Sequence, residues 1–405
     1  MSKLTTISLF TGAGGLDYGF EAAGFRTAVA LEIDKRCCET LRRNRNWPII
    51  ERDLADVSTD ELLEVAGLKP GQADVLIGGP PCQPFSKSGF WATGDAKRLG
   101  DPRASTLEGY MRVLAEAQPR AFLLENVEGL GFKGKDEGLK LIQERLSALN
   151  ATHRVRYRAA IGVLNAADYG VPQQRRRVFV IGARDGANFQ FPAPTHHDEA
   201  QGETAYRTAW DALHDLPATV SLESRPKGKW ADLLPTIPPG MNYLWHTDRG
   251  SGEPLFGWRR RYWSFLLKLA PDQPAWTIQA QPGPATGPFH WESRRLTMRE
   301  MARLQTFPDN VHVTGSLADA QRQLGNAVPS LLAEVLAREI AQQLLGQAAG
   351  EPLALAIPRA HSAPVMPPVP TPVPSKYLSL KGDHAAHPGK GQGARALTRK
   401  LVAAA

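Results

Sequence analysis

The feature that most constrains the fold is an alternation of short apolar runs with amphipathic stretches over the first 185 residues. Runs such as T-T-I-S-L-F, A-D-V-L-I-G-G and R-V-F-V-I-G-A are bounded by glycine, proline or charged residues. Between them, stretches such as 105–117 and 137–149 carry apolar residues at helical spacing. We therefore predict an α/β domain built on a mostly parallel, doubly wound sheet with helices on both faces.

The composition divides the chain into four segments. The alternation occupies residues 1–187. Residues 188–290 are rich in proline and hold most of the nine tryptophans, which predicts a second, smaller and loop-rich domain. Helical spacing returns in 291–346, and we expect this segment to return to the first domain. Residues 347–405 are rich in proline, alanine and lysine, so we predict a disordered tail.

The cysteines and the N-terminal residues indicate the compartment. The three cysteines, Cys37, Cys38 and Cys82, form neither an even disulfide framework nor a C-x-x-C pair, which favours a reducing environment. The first residues lack a sustained apolar run, and no uncharged stretch reaches the roughly 18 residues of a membrane span. We expect a soluble, cytoplasmic protein without membrane association.

The net charge is weak evidence for a partner. It is +7 for 405 residues, but most of the excess lies after residue 350. The basic balance therefore describes the tail rather than a nucleic-acid surface on the body.

A glycine turn follows the first apolar run, in L-F-T-G-A-G-G-L-D. Gly12, Gly14 and Gly15 would let the backbone approach a nucleotide-like ligand closely. Glu32, at the end of the next predicted strand, is placed to accept ribose hydroxyls, and Asp53 could accept from an adenine amino group. A tight turn without a ligand and an ordinary surface aspartate are the alternatives, and they stay open at this point.

The second chemical signal is a cysteine among prolines, in G-G-P-P-C-Q-P-F-S. Cys82 follows a predicted strand, where functional loops of parallel sheets lie, so its thiol is a candidate nucleophile. A buried, inert cysteine is the alternative. Glu125 ends the next predicted strand and would supply a proton donor or acceptor at the same edge.

Arginines alternate along a third predicted strand. Arg175 and Arg177 would share one face and offer fixed cations for a phosphate or a developing anion. A solvated strand edge is the simpler reading of either residue. His196 and His197 lack partners at metal-ligand spacing, so no metal is predicted.

Together the motifs resemble the C5-cytosine-specific DNA methyltransferase family of bacterial restriction-modification systems. From Thr6 to about Gln343, six motifs occur in the family's order: F-T-G-A-G-G, G-P-P-C-Q-P-F-S, E-N-V, N-A-A-D-Y-G-V-P-Q-Q-R-R-R, R-R-L-T-M-R-E-M-A-R-L-Q-T-F-P-D and Q-L-G-N-A-V-P. One departure is Thr306, where the family more often has glycine.

The resemblance implies a Rossmann-like methyltransferase fold and covalent catalysis. Cys82 would attack C6 of a cytosine flipped out of double-stranded DNA, and the activated C5 would take a methyl group from S-adenosylmethionine. Glu125 would lie near N3 and the 4-amino group, and Arg177 near O2.

The same resemblance assigns binding residues. The implied cofactor pocket comprises Phe10, Gly12, Gly14, Gly15, Glu32, Ile33, Asp53, Pro81, Leu107, Asn326 and Val328. The implied DNA contacts are Gln83, Ser86, Ser88, Gln173 and Arg175. Residues 188–290 fall where the family keeps its target-recognition domain, and Arg249, Arg259, Arg260, Arg261 and Lys268 suit phosphate and base contacts there. A solvated helix start over a small aromatic core is the alternative for W-R-R-R-Y-W.

Further expectations concern partners and competing functions. We expect a monomer, with a cognate restriction endonuclease as a separate protein acting on the same site. RNA cytosine methylation is the first alternative, but the chain lacks the late C-F-T stretch of the RNA-modifying branch. A non-catalytic DNA-binding relative is the second, although Cys82, Glu125 and Arg177 are all present. The absence of a dinucleotide fingerprint argues against a nicotinamide enzyme.

Overall fold

The computed structural model describes residues 3–81, 105–128, 137–199, 202–217, 222–258, 261–348, 350, 352–366 and 368–381. Its described strands are β1 Thr5–Leu9, β2 Arg26–Leu31, β3 Ile49–Ile50, β4 Val75–Gly78, β5 Ala121–Val127, β6 Arg158–Asn165, β7 Gln173–Gln174, β8 Arg176–Ala183 and β9 Ala275–Trp276. Seven of these form one sheet in the order β3-β2-β1-β4-β5-β8-β6, and β7 pairs with β9 separately.

The described α-helices are α1 Gly15–Ala22, α2 Lys35–Asn44, α3 Thr59–Ala66, α4 Ser105–Ala117, α5 Glu137–His153, α6 Ala209–Leu213, α7 Met298–Leu304, α8 Leu317–Asn326, α9 Ser330–Leu345 and α10 Ser375–Leu378. Short 3-10 helices span Leu54–Asp56, Ala166–Tyr169, Gly202–Thr204, Leu222–Ser224, Ala231–Thr236 and Tyr243–His246. None of the helices in the described segments has the length and apolar composition to cross a membrane.

The large sheet confirms the predicted α/β class. Only β8 runs antiparallel to its neighbours, and the other pairs of this sheet are parallel. Alternate residues of β4 serve two cores: Leu76 packs in one cluster with α3, α4 and α5, whereas Val75 and Ile77 pack in another with α1 and α9. This division follows from the two-residue period of a strand, and it gives the sheet helices on both faces.

The end of the matched motifs packs beside the beginning of the chain. Helix α9 lies against α1 so closely that a Cβ on Gly19 would be 2.4 Å from the Cβ of Ala333. A Cβ on Gly15 would be 2.3 Å from the carbonyl oxygen of Val328. Both glycines therefore permit a contact that positions the Q-L-G-N-A-V-P segment next to the glycine turn.

The segment predicted as a second domain contributes to two cores. One is a small aromatic cluster that includes Tyr243, Phe256 and Phe265. The other contains Ala209–Leu213 and Ile278 together with residues of α7 and α8. The boundary predicted at residue 290 therefore passes through one continuous hydrophobic cluster. We use "recognition module" below, after the role expected from the sequence, for residues 229–258 and 261–289, which surround the small aromatic cluster.

The prediction of a disordered tail was wrong for residues 352–366 and 368–381. Tyr377 is buried in the aromatic cluster, and α10 forms around it. Arg359 donates to the carbonyls of Tyr206 and Gly202 and pairs with Asp211. Disorder was predicted because proline prevents regular backbone hydrogen bonding. Proline does not prevent the neighbouring side chains from packing on the rest of the protein. Residues 382–405 lie outside the described part of the chain.

Candidate active site

The base of the cysteine loop lies against the predicted catalytic carboxylate. Strands β4 and β5 are parallel neighbours, with Gly78 in register with Leu124. A Cβ on Gly79 would be 2.8 Å from Oε2 of Glu125. The side-chain amide of Asn126 donates to the carbonyl of Pro80 at 3.2 Å. The E-N-V motif therefore holds the start of the loop that carries the thiol.

The loop itself is only partly described. Pro81 is exposed and is the last described residue before residue 105. Cys82, Gln83, Ser86 and Ser88 lie outside the described residues, so their predicted roles stay predictions.

Glu125, which is buried, forms an ion pair with the partly buried Arg177. Nε of Arg177 lies 3.0 Å from Oε1 of Glu125, and the side chains are 15% and 11% exposed. Burial raises the pKa of Glu125, while the charges of Arg177 and Arg175 act in the opposite direction. A raised pKa is the direction that a carboxyl group needs to act as a proton donor.

Gln173 and Arg175 are structural residues in this conformation, which corrects their predicted DNA contacts. Both side chains are fully buried. Arg175 donates to the carbonyls of Ile278 and Gly325 at 3.3 and 2.8 Å. Gln173 donates to the carbonyl of Leu304 and accepts from the backbone of Ile278. Neither side chain offers surface to DNA in this conformation, because both are buried and bond to backbone groups inside the protein.

The glycine turn and Glu32 come together at the ends of the paired parallel strands β1 and β2. Gly12 and Gly14 have φ of 57° and 87°, a region that glycine occupies without a steric cost. The Glu32 carboxylate accepts from the backbone N–H groups of Gly12 and Asp34, each at 2.7 Å. Burial raises the pKa of Glu32. A carboxylate held beside an open glycine turn fits a ligand that carries vicinal hydroxyl groups.

Other predicted pocket residues lie around this turn in different surroundings. Ile33 follows Glu32 directly, and its large apolar side chain is 61% exposed to solvent. Phe10 is partly buried and packs on the same cluster as Leu107, which is itself buried. Val328 is buried beside Gly15.

Two predicted pocket residues are polar and exposed. The side chain of Asp53 accepts from the backbone N–H of Ala55 at 3.0 Å, so it caps a short 3-10 helix. Asn326 is exposed at the end of α8. Both are accessible to a ligand, and Asp53 already has a structural role.

Sequence reasoning missed a buried carboxyl group beneath the glycine turn. Asp17 is fully buried and accepts from the hydroxyls of Ser8 and Thr27 at 3.0 and 3.2 Å. Burial raises its pKa to about 7. The available signal was the position of Asp17 on the inward side of the helix L-D-Y-G-F. Charged residues are rarely buried without partners, so an aspartate there indicates buried hydrogen-bond donors around it.

The motif R-R-L-T-M-R-E is also structural. Arg294 makes a two-bond pair with Glu300, at 2.8 and 2.7 Å, inside the protein. Glu300 also forms a capping box with Thr297 at the start of α7. Thr306, the departure from the family pattern, has φ of 53°, a conformation that glycine adopts more easily. Its hydroxyl accepts from the backbone of Leu331 at 2.9 Å.

The basic residues of the recognition module have different surroundings. The Arg261 guanidinium lies 5.6 Å from the ring centre of Phe256 and 5.7 Å from that of Phe265. Arg249 lies over the ring of Trp258 at 4.6 Å. Lys268 is buried and donates to the carbonyl of Ile237, so its predicted DNA contact was wrong. Arg259 and Arg260 lie outside the described residues.

Exposed aromatic side chains beside β7 and β9 were not predicted as site residues. Trp263 and Trp276 are 54% and 39% exposed, and their rings meet edge to face at 5.7 Å. Trp276 is in register with Gln174, which lies three residues before Arg177. The pair therefore places apolar surface on the strand segment that leads to the Glu125–Arg177 pair.

Comparisons with known proteins agree with this geometry. Residues 4–342 match the family model of the C-5 cytosine-specific DNA methylases. The chain is 43% identical to the Type II methyltransferase M.SacI of Streptomyces achromogenes, over 83% of this chain and 92% of the relative. It is 35% identical to M1.HphI of Haemophilus parahaemolyticus, over 83% and 86%.

A solved structure shares the fold. A prophage-encoded E. coli protein assigned as a DNA modification methyltransferase aligns with a TM-score of 0.59 and 24% identity. The alignment covers 85% of this chain and all of that one.

Proposed function

The chain belongs to the C-5 cytosine-specific DNA methylase family, and on that premise we propose that it methylates C5 of a flipped cytosine within a specific double-stranded DNA sequence. The observation that carries this proposal is the Glu125–Arg177 pair beside the base of the cysteine loop. A proton-exchanging carboxyl group next to a nucleophile is what addition to a pyrimidine ring requires.

In the proposed reaction the thiolate of Cys82 forms a bond to C6 of cytosine. The electron pair of the C5=C6 bond would then be available at C5, which would bond to the methyl carbon of the donor while the carbon–sulfur bond of the donor breaks and its electrons stay on sulfur, leaving S-adenosylhomocysteine. Glu125, near N3 and the 4-amino group, stabilises the adduct, and Arg177 contacts O2 while it orients Glu125. Loss of the C5 proton to a base and elimination of the thiolate restore the aromatic ring.

The residues of the glycine turn fit S-adenosylmethionine as the methyl donor. Glu32 would exchange its bonds to Gly12 and Asp34 for ribose hydroxyls, and exposed Ile33 would pack on the adenine. Phe10 and Val328 would close the apolar sides of the pocket. When bound, the donor supplies a methyl group on a positively charged sulfur.

We assign the DNA-reading surface to the recognition module and the exposed aromatic pair. Trp263 and Trp276 offer flat apolar surfaces that suit contact with bases or with thymine methyl groups. Arg261 has an aromatic support and a charge that suits phosphate. The predicted contacts of Gln83, Ser86, Ser88, Arg259 and Arg260 belong to the same proposal.

The relatives suggest the biological role. M.SacI and M1.HphI are named Type II methyltransferases, so we assign this chain to the protection of DNA in a restriction-modification system. A cognate endonuclease would be a separate protein, and the methyltransferase would act as a monomer in the cytoplasm.

The test is expression of the chain in a host that lacks cytosine methylation, followed by bisulfite sequencing and nucleoside mass spectrometry. We expect unconverted cytosines in one sequence context, 5-methylcytosine in the digest, and neither with Cys82→Ala. Complete conversion with the wild-type chain, or methylation at an exocyclic nitrogen instead, would overturn the proposal.

A further inference from the structure

The C-terminal segment, residues 352–366 and 368–381, lies beyond the residues that match the family, which end at 342. It is attached to the rest of the chain at three places. The first is α9. Glu334 is fully buried and accepts from the backbone N–H groups of Ala354 and Leu355 at 2.7 and 2.8 Å. Leu353 and Leu355 pack on the hydrophobic cluster of α1 and α9. The start of the segment is therefore anchored to the catalytic sheet.

The second attachment is at α6. Arg359 pairs with Asp211 at 3.1 Å, and the other oxygen of Asp211 accepts from the backbone of Ala360 at 2.9 Å. The indole N–H of Trp210 donates to the carbonyl of Ser362 at 2.9 Å. These contacts carry the segment from the catalytic sheet towards the recognition module.

The third attachment completes the core of the recognition module. The ring of Tyr377 stacks on Trp230 with centres 5.8 Å apart and planes 14° from parallel. Its hydroxyl donates to the carbonyl of Lys229 at 2.5 Å. Val373 and Leu380 pack on the same aromatic cluster. Removal of the Tyr377 ring would therefore take away the stacking contact on the Trp230 ring.

Trp230 connects this attachment to a predicted DNA contact. Its ring meets Phe256 and Phe265, each with centres 5.5 Å apart. The Arg261 guanidinium lies against the same three rings, 5.9 Å from the centre of Trp230. Nε of Arg261 is buried, without a hydrogen-bond partner among the described residues. The rings therefore hold the orientation of this arginine.

We propose that the C-terminal segment is a brace that positions the recognition module for DNA, and that Tyr377 acts through Trp230 on Arg261. The inference rests on the proposed function, since it assumes that the module contacts DNA. It makes Tyr377 a positioning residue for target binding in a segment outside the family's matched region.

The test compares Tyr377→Ala with Leu378→Ala in the full chain. Leu378 is the next residue of α10 and is 40% exposed, so its truncation changes the same helix without removing the stack. The probe is a labelled duplex that contains the methylated sequence. We expect Tyr377→Ala to raise the Kd and KM for this duplex about tenfold, the loss of one aromatic stack. Its kcat and its Kd for S-adenosylmethionine should stay within about twofold of wild type, and Leu378→Ala should match wild type throughout.

Two further variants separate positioning from general loss of structure. Tyr377→Phe keeps the stacked ring and should restore most of the DNA affinity. Combining Tyr377→Ala with Arg261→Ala should bind DNA no more weakly than Arg261→Ala alone, because both changes remove the same contact. Additive losses, an unchanged Kd for DNA, or an equal loss of cofactor binding would overturn the inference. If the wild-type chain binds no DNA, the proposed function fails together with this inference. If the wild-type chain methylates DNA and Tyr377→Ala binds it with the wild-type Kd, only the inference about the C-terminal segment is refuted.

Discussion

Replacing Glu125 by glutamine tests the role of the carboxyl group with little change in shape. The variant keeps a side chain of the same size beside Gly79 but cannot exchange a proton with the cytosine ring. General acid–base groups contribute about 10²–10⁴-fold to a rate, which corresponds to about 3–5 kcal/mol of activation free energy. We expect kcat to fall within this range.

The structure separates this effect from a loss of folding. Breaking a buried ion pair costs about 3–5 kcal/mol, but Arg177 retains a bond to the carbonyl of Arg176 at 2.7 Å and remains partly exposed. The amide oxygen of glutamine can also accept from Arg177. We therefore expect the free energy of unfolding to fall by only about 1.5–3 kcal/mol, the range for a weakened hydrogen bond to a charged group.

A matched control lies three residues further along the chain. Glu128 pairs with Arg176 at 3.0 Å, with side chains 31% and 61% exposed. Since exposed pairs contribute about 0–1 kcal/mol, Glu128→Gln should leave kcat and stability close to wild type.

The assay is transfer of a labelled methyl group to saturating duplex DNA, with DNA binding measured by fluorescence anisotropy. The Kd of Glu125→Gln for DNA should stay within about threefold of wild type, because the lost interaction belongs mainly to the transition state. A Glu125→Gln enzyme with kcat within threefold of wild type would refute the assigned role. So would an equal loss in Glu128→Gln.

Three further predictions concern the cofactor turn and the core. Glu32→Gln should weaken S-adenosylmethionine binding by about 10- to 100-fold, the range for a hydrogen bond to a charged group, whereas Glu39→Gln, at a partly exposed glutamate of α2, should not; calorimetric titration would measure both affinities, and equal affinities would contradict the ribose contact. Asp17 has a folded pKa raised to about 7, so the folded state holds an extra proton between about pH 4 and 7, and stability should fall as pH rises through that range by up to about 4 kcal/mol. Asp17→Asn should lack this slope in thermal melts, and parallel pH curves for both proteins would be the contrary result. Gly19→Ala should cost about 3 kcal/mol of stability because its Cβ would meet Ala333 at 2.4 Å, and a normal denaturant midpoint would disprove that close contact.

Much of the catalytic sheet could be predicted from sequence because its signals are local. The amphipathic stretches at 105–117 and 137–149 correspond to helices Ser105–Ala117 and Glu137–His153. Apolar runs ended by glycine marked β1 and β4, and parallel pairing then brought Gly12 to Glu32 and Gly79 to Glu125. Motif spacing located these residues because Gly12, Glu32 and Gly79 come after strands and Glu125 lies near the end of β5.

The errors arose where tertiary contacts decide the outcome. Alternation along a strand could not show that Arg175 is buried, because its environment depends on Ile278 and Gly325, more than 100 residues away. The same limitation applies to Lys268, which a chain-local pattern places on the surface. The packing of residues 352–366 and 368–381 also depends on residues that are distant in the sequence, since the ring of Tyr377 stacks on that of Trp230.

The most direct measurement of the central claim is covalent trapping with a duplex that carries 5-fluorocytosine at the target position. Fluorine at C5 cannot leave as a proton does, so the enzyme should stop after methyl transfer with Cys82 still bonded to C6. With S-adenosylmethionine present, intact mass spectrometry should show one protein–DNA adduct that includes the methyl group, and peptide mapping should place it on Cys82. Cys82→Ala should give none. An adduct on another residue, or no adduct from a preparation that methylates normal DNA, would contradict the account.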